Sequence, residues 1–234
     1  MLTELVTTVE KPYVCQFCNT AYMKEKTLTV HMCEQKRRHL AKTEKHVQIG
    51  YQTYVRFYQL TQRFKGTKTY QEFASSPYYA AFVKFGSFIS NVNPLYPEQY
   101  IDWVVTSGIK LDHWCRDELY DKYVLELIKS EAPTTALQRS VSTMIDWAES
   151  NGSAWNHYFK YVSLNRAVYD IRDGKMSAWL LLNAKSGQEM LARFNDEQLE
   201  IVAPMIDPEF WKSKFKKSPE DIELVRDVIR EGKL

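Results

Sequence analysis

The sequence predicts a mainly α-helical protein with a small metal-binding module at its N-terminus. The chain has 234 residues, 44% of them hydrophobic, enough for one or two globular domains. Beyond residue 40, apolar residues recur at spacings of three and four, which is the period of an amphipathic helix. Before residue 40, three cysteines and two histidines lie close together, a pattern typical of a metal site. We therefore expect a ββα-like module over residues 1–40, then an all-helical body over residues 41–234 with about seven to nine helices.

The N-terminal module carries the most specific pattern. Cys15, Cys18, Tyr22, Leu28 and His31 follow the spacing C-x2-C-x3-aromatic-x5-Leu-x2-His. Two cysteines three positions apart occupy a tight turn that directs both thiolates at one ion. This pattern resembles the two-cysteine, two-histidine zinc finger over residues 10–39. The resemblance implies that Zn²⁺ supplies the folding energy that so small a core lacks.

The fourth zinc ligand departs from the family pattern, which has a second histidine three to five residues after the first. Here Cys33, Glu34 and His39 lie two, three and eight positions beyond His31. On an unbroken helix, position i+2 points about 200° away and position i+8 lies about 12 Å further along, so Cys33 or His39 needs a break in the helix. Glu34 would reach the ion, but a carboxylate is an unusual ligand in a structural zinc site. The ligand set that we expect is Cys15, Cys18, His31 and His39.

Alternatives to His39 stay open at this point. Cys33 is the second choice, and Glu34, a water molecule or the absence of a metal are the others. If the module binds DNA as the family does, the resemblance assigns base-facing positions to Lys24, Lys26, Thr27 and Val30. One finger spans about 3 bp, which is too little for strict sequence choice.

Positive charge is concentrated in the first part of the chain. Residues 1–100 hold 13 Lys and Arg against 7 Asp and Glu, whereas residues 101–234 hold 18 against 22. The basic residues that directly follow the finger motif are Lys36, Arg37, Arg38, His39, Lys42 and Lys45. We expect this segment to contact several phosphates of a nucleic acid, although a solvated helix face is the ordinary explanation of such a run.

An aromatic-rich stretch follows the basic segment, from Tyr51 to Tyr70, with basic residues such as Arg63 and Lys65 interleaved. Interleaved rings and cations suit single-stranded nucleic acid, because bases stack on rings while cations follow the backbone. Tyr51, Tyr54 and Tyr58 also have helical spacing, so a packed helix face is the interpretation that we favour.

The helices of the body are predicted from apolar stripes and from start signals. The stripes are Tyr78, Phe82, Phe85 and Ile89; Tyr120, Tyr123, Val124 and Leu127; Leu137, Val141 and Met144; and Ile222, Val225 and Ile229. Asn195, Asp207-Pro208 and Ser218-Pro219 are typical helix starts, because a polar N-cap or a first-turn proline favours a helix N-terminus.

The body shows no signature of catalysis. It lacks a Gly-rich phosphate loop, H-E-x-x-H, G-x-S-x-G and a dinucleotide fingerprint, so we do not expect an enzyme. The one alternative is a metal enzyme or nuclease that uses Asp112, His113 and Asp117. These residues lie close together beside Cys115.

The chain shows neither a membrane span nor a secretory signal. No uncharged apolar run approaches the roughly 18 residues that a transmembrane helix needs. Residues 1–10 contain Glu4 and Glu10 and no basic residue, which does not fit a signal peptide. We therefore expect an intracellular, cytoplasmic protein.

Together, these features predict a non-enzymatic, zinc-dependent nucleic-acid-binding accessory protein of low sequence specificity. We expect DNA rather than RNA as the nucleic acid, and the acidic helical body to dock an unidentified protein partner. The body, with compact helices rich in Tyr and Trp, resembles accessory proteins of large tailed phages, including helicase loaders. This resemblance implies that the protein acts in the cytoplasm of an infected host cell. The alternative is a structural or assembly protein in which the zinc finger is only a staple or a protein-docking element.

Overall fold

The computed structural model describes residues 13–62 and 66–234. Two short strands, β1 (Tyr13–Val14) and β2 (Ala21–Tyr22), form an antiparallel pair in which Tyr13 lies opposite Tyr22. The described residues after this hairpin are helical almost throughout. The predicted fold class, a small N-terminal sheet followed by an all-helical body, is therefore confirmed.

Six helices cover the described chain up to residue 106. They are α1 (Glu25–Val30), α2 (Glu34–Leu40), α3 (Lys45–Thr61), α4 (Tyr70–Ser75), α5 (Tyr79–Val92) and α6 (Pro97–Thr106). Nine more helices complete the chain. They are α7 (Asp117–Ser130), α8 (Pro133–Asn151), α9 (Tyr158–Tyr161), α10 (Leu164–Arg172), α11 (Ala178–Leu181), α12 (Lys185–Leu191), α13 (Asp196–Val202), α14 (Pro208–Lys217) and α15 (Pro219–Gly232).

The number of helices exceeds the seven to nine that the sequence predicted. Within the described residues there are fifteen α-helices, of which eight have nine residues or more. The other helices have four to seven residues. A helix of two turns or fewer cannot repeat an apolar stripe, so periodicity detects mainly the long ones.

Packing divides the described residues into two compact units. The first comprises the described residues up to Asn93 together with Ile101–Cys115, and the second comprises Pro94–Tyr100 together with Arg116–Leu234. The N-terminal hairpin, the candidate metal ligands and α1 to α5 all belong to the first unit. The separate module that we expect over residues 1–40 stays a prediction.

The first unit is built on a close approach of α3 and α5. A Cβ atom added at Gly50 would lie 2.7 Å from the backbone oxygen of Phe82. A Cβ atom added at Gly86 would overlap the backbone oxygen of His46. Only glycine lets the two backbones approach so closely. Beside this crossing, Phe82 and Phe85 are buried as predicted, whereas Tyr78 of the same stripe is 56% exposed.

The second unit has an aromatic core and a buried ion pair. Tyr123 and Met144, from two of the predicted stripes, are buried. Arg139 pairs with Glu131, with side-chain exposures of 9% and 4%. Trp179 packs edge-on against Trp211 at a ring-centroid distance of 5.8 Å.

The predicted helix starts coincide with helix N-termini in the second unit. Asn195 caps α13 through a reciprocal capping box with Gln198. The side chain of Asp207 accepts hydrogen bonds at the start of α14, where Pro208 occupies the first turn. Ser218 precedes α15 but forms no side-chain cap. No helix in residues 13–62 or 66–234 has the length and apolar character to cross a bilayer.

Candidate metal centre

Four side chains of the N-terminal region converge on one point. Cys15, Cys18, His31 and Cys33 each contribute one ligand atom, and these atoms all lie within 4.8 Å of one another. The two Sγ atoms of Cys15 and Cys33 are 3.9 Å apart, and Cys18 Sγ lies 3.3 Å from His31 Nε2. The arrangement is a Cys3His group with the geometry to hold a metal ion.

The first two ligands lie on a tight turn that follows β1. The Cys15 N–H donates to the Thr20 backbone oxygen at 2.9 Å, and the Asn19 N–H donates to the Cys15 oxygen at 2.8 Å. Asn19 adopts a left-handed conformation with φ 57°, which asparagine tolerates better than most residues. The turn therefore holds both thiols on one side, as the C-x2-C spacing predicted.

The other two ligands come together because the helix ends early. Helix α1 ends at Val30, and His31 is extended with φ −66° and ψ 127°. Cys33 is also extended, with φ −77° and ψ 166°, and it is the N-cap of α2. In an extended segment, residues i and i+2 point to the same side. His31 and Cys33 therefore face the same point, which an unbroken helix would not allow.

His39, the fourth ligand that we expected from the sequence, lies outside the group. Its imidazole ring packs against Phe17 with ring centroids 5.1 Å apart. Glu34, another alternative, accepts a hydrogen bond from Arg38 Nε at 3.0 Å. Cys33, the second choice from the sequence, occupies the fourth position. The helix is broken, as either Cys33 or His39 requires, but the break lies at residues 31–33 and so favours the nearer residue.

Neighbouring groups orient the ligands. Tyr22 Oη lies 2.8 Å from His31 Nδ1, so that Nε2 faces the thiols. The Lys36 N–H donates to Cys33 Sγ at 3.4 Å, and Lys36 Nζ donates to the His31 backbone oxygen at 3.2 Å. A metal-binding histidine normally has its second nitrogen held in this way. Tyr22, the aromatic residue of the motif, therefore orients the His31 ring through this contact.

The surroundings shift the pKa values of the Cys18 and Cys33 thiols in opposite directions. Hydrogen bonds with the side chain and backbone of Thr20, and one with His31, lower the pKa of Cys18 to about 6. Burial raises the pKa of Cys33 above its usual value. The thiolate is the form that binds metals, so the surroundings favour the metal-binding form of Cys18 and disfavour that of Cys33.

The donor set fits a structural zinc ion. Zinc prefers four tetrahedral ligands, and Cys3His is one of its usual structural sets. With a Zn–S distance of about 2.3 Å, tetrahedral geometry requires sulfur atoms about 3.8 Å apart, close to the 3.9 Å between Cys15 and Cys33. All four protein positions are filled by side chains, which is typical of a structural rather than a catalytic site.

Most of the residues predicted to bind nucleic acid are exposed, but Lys36 is not. Exposed side chains belong to Lys24, Lys26, Thr27, Arg37, Lys42 and Lys45. Arg37 lies 3.7 Å from Glu34 across the surface of α2, and Lys42 Nζ lies over the Tyr70 ring at 5.3 Å. Lys36 is half-buried and, as described above, bonded to His31.

Arg38 has a structural role that the sequence analysis did not detect. Its side chain is 19% exposed, its Nη1 donates to the Ala74 backbone oxygen at 2.7 Å, and its guanidinium lies 4.4 Å from the centre of the Tyr79 ring. Tyr70 in turn donates to the Arg38 backbone oxygen. Arg38 therefore anchors α2 to α4 and α5.

The aromatic stretch after the basic segment is mostly packed. Tyr54 is buried, and Tyr51 Oη donates to the Lys68 backbone oxygen at 2.6 Å. The packed helix face that we favoured is thus confirmed for these two residues. Arg63 and Lys65 lie outside the described residues.

The residues of the alternative metal-enzyme site do not converge as metal ligands. Among residues 13–62 and 66–234, the Cys3His group is the only set of three or more His, Cys, Asp or Glu with metal-binding geometry. Asp112, His113 and Asp117 do not form such a set. Burial raises the pKa of Cys115, so its thiol is not activated as a nucleophile.

Comparisons with protein-family models, with curated proteins and with solved structures returned no match to this chain. The evidence for its function is therefore the chemistry of the site residues themselves.

Proposed function

We propose that this protein is a non-enzymatic nucleic-acid-binding accessory protein whose N-terminal module is folded around a structural Zn²⁺ ion. The observation that carries the proposal is the Cys3His group of Cys15, Cys18, His31 and Cys33. Exposed basic residues lie in the same short segment, at Lys24 and Lys26.

Zinc supports the module because the protein core there is very small. Cys15 is the only buried residue among 13–40. A metal can replace a missing hydrophobic core, and it supplies roughly 10–16 kcal/mol in isolated zinc-finger peptides. The four cysteines are free thiols, which fits a reducing compartment such as the cytoplasm.

Nucleic acid is the polyanion that fits the exposed face of the module. Lys24 and Lys26 project from the segment between Tyr22, which orients His31, and His31 itself. Metal binding would therefore fix the positions of these lysines. Val30 on the same short helix is 73% exposed, and it can offer a base only an apolar contact. The expected binding is dominated by phosphate contacts, with low sequence specificity and strong salt dependence.

A specific observation favours a second candidate, a protein-docking module in a structural or assembly protein. The exposed large apolar side chains of the module are Val14, Met23, Val30, Met32 and Leu40. Several exposed apolar groups on one small folded module can serve as an interaction surface. In this alternative, zinc is a staple and the lysines keep the module soluble.

Fluorescence anisotropy of zinc-loaded protein on labelled single-stranded and duplex DNA, and on RNA, with a salt titration, tests the proposal. The variant Lys24→Gln/Lys26→Gln should weaken binding and reduce the salt slope, by about 0.7 for each single-strand phosphate that the variant no longer neutralises. The matched control is Lys122→Gln/Lys185→Gln, which neutralises two lysines of the second unit with side-chain exposures of 64% and 87%.

The outcomes separate the two candidates. Equal effects of the two double variants would contradict a binding role for the module. The absence of binding to any strand, with zinc retained, would overturn the proposal and favour protein docking. In that case Val30→Ser/Met32→Ser, rather than the lysine variants, should impair assembly.

A further inference from the structure

An aromatic pocket opens in the first unit, away from the metal ligands. It has a volume of about 400 Å³, within the range of small-molecule sites. The lining residues that matter here are Phe57, Tyr58, Gln62, Tyr78, Phe82, Lys110 and Trp114. All of them belong to the first unit. Three separate segments of the chain therefore contribute to one cavity.

The floor of the pocket is closely packed and apolar. Trp114 and Phe82 are each 1% exposed, and their ring centroids lie 6.0 Å apart. Phe57 contacts both rings, at 6.1 Å from Trp114 and 5.9 Å from Phe82. Trp114 Nε1–H donates to the Ile109 backbone oxygen at 2.8 Å, so the indole needs no other partner. The floor is therefore a closed layer of packed aromatic side chains, and the rings that a ligand can reach are those of Tyr58 and Tyr78.

The rim of the pocket is polar and basic. Tyr78 is 56% exposed, and Gln62 and Lys110 are exposed. Tyr58 is half-buried, and Lys68 Nζ lies 5.1 Å from the centre of its ring while it also pairs with Glu72 at 2.9 Å. The rim thus combines rings, an amide that both donates and accepts, and positive charge.

This combination selects a flat aromatic ligand that carries a negative charge. Base–aromatic stacking contributes to single-strand binding with every base, because each base has a π-face. The Gln62 amide can meet the polar edge of a base, and Lys110 can meet a phosphate. A neutral aliphatic ligand would use neither the amide nor the cation.

The pocket and the basic segment belong to the same compact unit. Arg38 of α2 covers Tyr79, and the preceding residue, Tyr78, lines the pocket. Lys42 and Lys68 lie over the rings of Tyr70 and Tyr58 respectively. Positive charge therefore occurs both beside the metal module and beside the pocket, within one unit.

We infer that this pocket takes up a nucleobase of a single-stranded nucleic acid whose neighbouring phosphates contact the basic N-terminal segment. The inference rests on the proposed function and makes it more specific. Single strands, rather than duplexes, are the ligands, because only an unpaired base can leave its stack to enter a cavity.

Two single-stranded oligomers of equal length and charge test the inference. One is a labelled deoxythymidine oligomer, and the other has the same backbone with abasic positions. Wild-type protein should bind the base-containing strand roughly fivefold or more tightly, since stacking contributes about 1–3 kcal/mol per base. The variants Tyr78→Ala and Lys110→Gln should each reduce this preference. A uridine oligomer compares RNA with DNA in the same assay.

Matched controls lie in the second unit. Tyr169 is 57% exposed, so Tyr169→Ala removes a ring as exposed as that of Tyr78. Lys122→Gln is the corresponding control for Lys110. Both controls should keep the full preference. Photocrosslinking with 5-iodouracil in the strand gives a second readout, which should label Tyr58 or Tyr78.

The outcomes distinguish the inference from the proposed function. If the base-containing and abasic strands bind equally while Lys24→Gln/Lys26→Gln still weakens both, the proposed function stands and the pocket is excluded. If the preference survives in both pocket variants, the bases are bound elsewhere and the inference is wrong. If no strand binds, both proposals fall.

Discussion

At the scale of single residues, Cys33 and His39 show how one local break decides a ligand set. Cys33 lies two positions from His31, which would place it on the far side of an unbroken helix. The chain is extended at both residues, and this brings Cys33 to the metal side. His39 then lies near the end of α2, and its ring packs on Phe17.

Substitution of the two candidate ligands should give opposite results. Cys33→Ser removes a thiolate from the Cys3His group, so we expect a much lower zinc affinity and a weaker thiolate-to-metal charge-transfer band with Co²⁺. His39→Ala should keep both the zinc affinity and the charge-transfer band of the wild type. Competition with a chromogenic chelator measures the affinity, and Co²⁺ spectra report the ligand set. Loss of metal in His39→Ala but not in Cys33→Ser would contradict the assignment.

Arg38 should behave as a structural residue rather than as a phosphate ligand. Arg38→Ala removes the hydrogen bond to the Ala74 oxygen and the interaction with Tyr79, so we expect a loss of about 1.5–3 kcal/mol in the free energy of unfolding. Arg37→Ala, on the 66% exposed neighbour, should leave stability unchanged and instead lower the salt slope of binding. Chemical unfolding and anisotropy separate the two effects. The reverse pattern would show that Arg38 contacts the nucleic acid.

At the scale of elements, α4 supports the position of α2, and its N-terminus is held by a capping box. The Thr69 side chain accepts from the Glu72 N–H, while the Glu72 carboxylate accepts from the Thr69 N–H at 2.7 Å. The bonds that the carboxylate accepts from the Thr69 N–H, from Lys68 Nζ and from the Thr69 hydroxyl lower the pKa of Glu72 from its ordinary 4.5 to about 2. A carboxyl whose pKa is lowered by folding stabilises the protein above its unfolded pKa, and this stabilisation is lost as pH falls toward the folded value.

We therefore expect Glu72→Gln to lower stability at neutral pH. The difference from wild type should shrink as pH falls from about 4.5 to about 2, the interval between the two pKa values of Glu72. Urea unfolding at a series of pH values measures it. Glu189→Gln, a 66% exposed carboxylate on α12, is the control and should show little change. A constant difference at all pH values would mean that the ionised carboxylate is not the stabilising form.

The close approach of α3 and α5 leads to a second prediction for the helices. Gly→Ala within a helix normally stabilises a protein by up to about 1 kcal/mol. Gly86→Ala should instead destabilise the protein by at least about 2 kcal/mol, because the new Cβ would overlap the backbone oxygen of His46. Ala80→Ser, at an exposed position of α5, should be nearly neutral. Thermal unfolding decides, and a stabilised Gly86→Ala protein would contradict the close helix crossing.

At the scale of the whole molecule, the sequence predicted what depends on local pattern. The helical class, the C-x2-C turn and the place of His31 in the Cys3His group follow from spacing. The caps at Asn195 and Asp207 follow from residue type. The fourth ligand could not be predicted, because it depends on where α1 ends. The burial of Arg38 could not be predicted either, because it depends on the packing of α2 against α4 and α5. The aromatic pocket could not be predicted either, because Phe57, Tyr78 and Trp114 come from distant segments that meet only in the fold.

Metal binding and nucleic-acid binding should be coupled in the intact protein. One Cys3His group per chain is present in the described residues, and the exposed lysines lie between its ligands in the sequence. Zinc should therefore bind before the module can present its basic face. The second unit, which holds no such group among residues 116–234, should stay folded without the metal.

This coupling can be measured by titrating metal-free protein with zinc while the anisotropy of a labelled single-stranded oligomer is recorded. We predict that strand binding rises with added zinc and saturates at one equivalent per chain, and that Cys33→Ser shifts the rise to much higher zinc concentration. Full strand binding by the metal-free protein, unchanged by zinc, would contradict a zinc-dependent nucleic-acid-binding module.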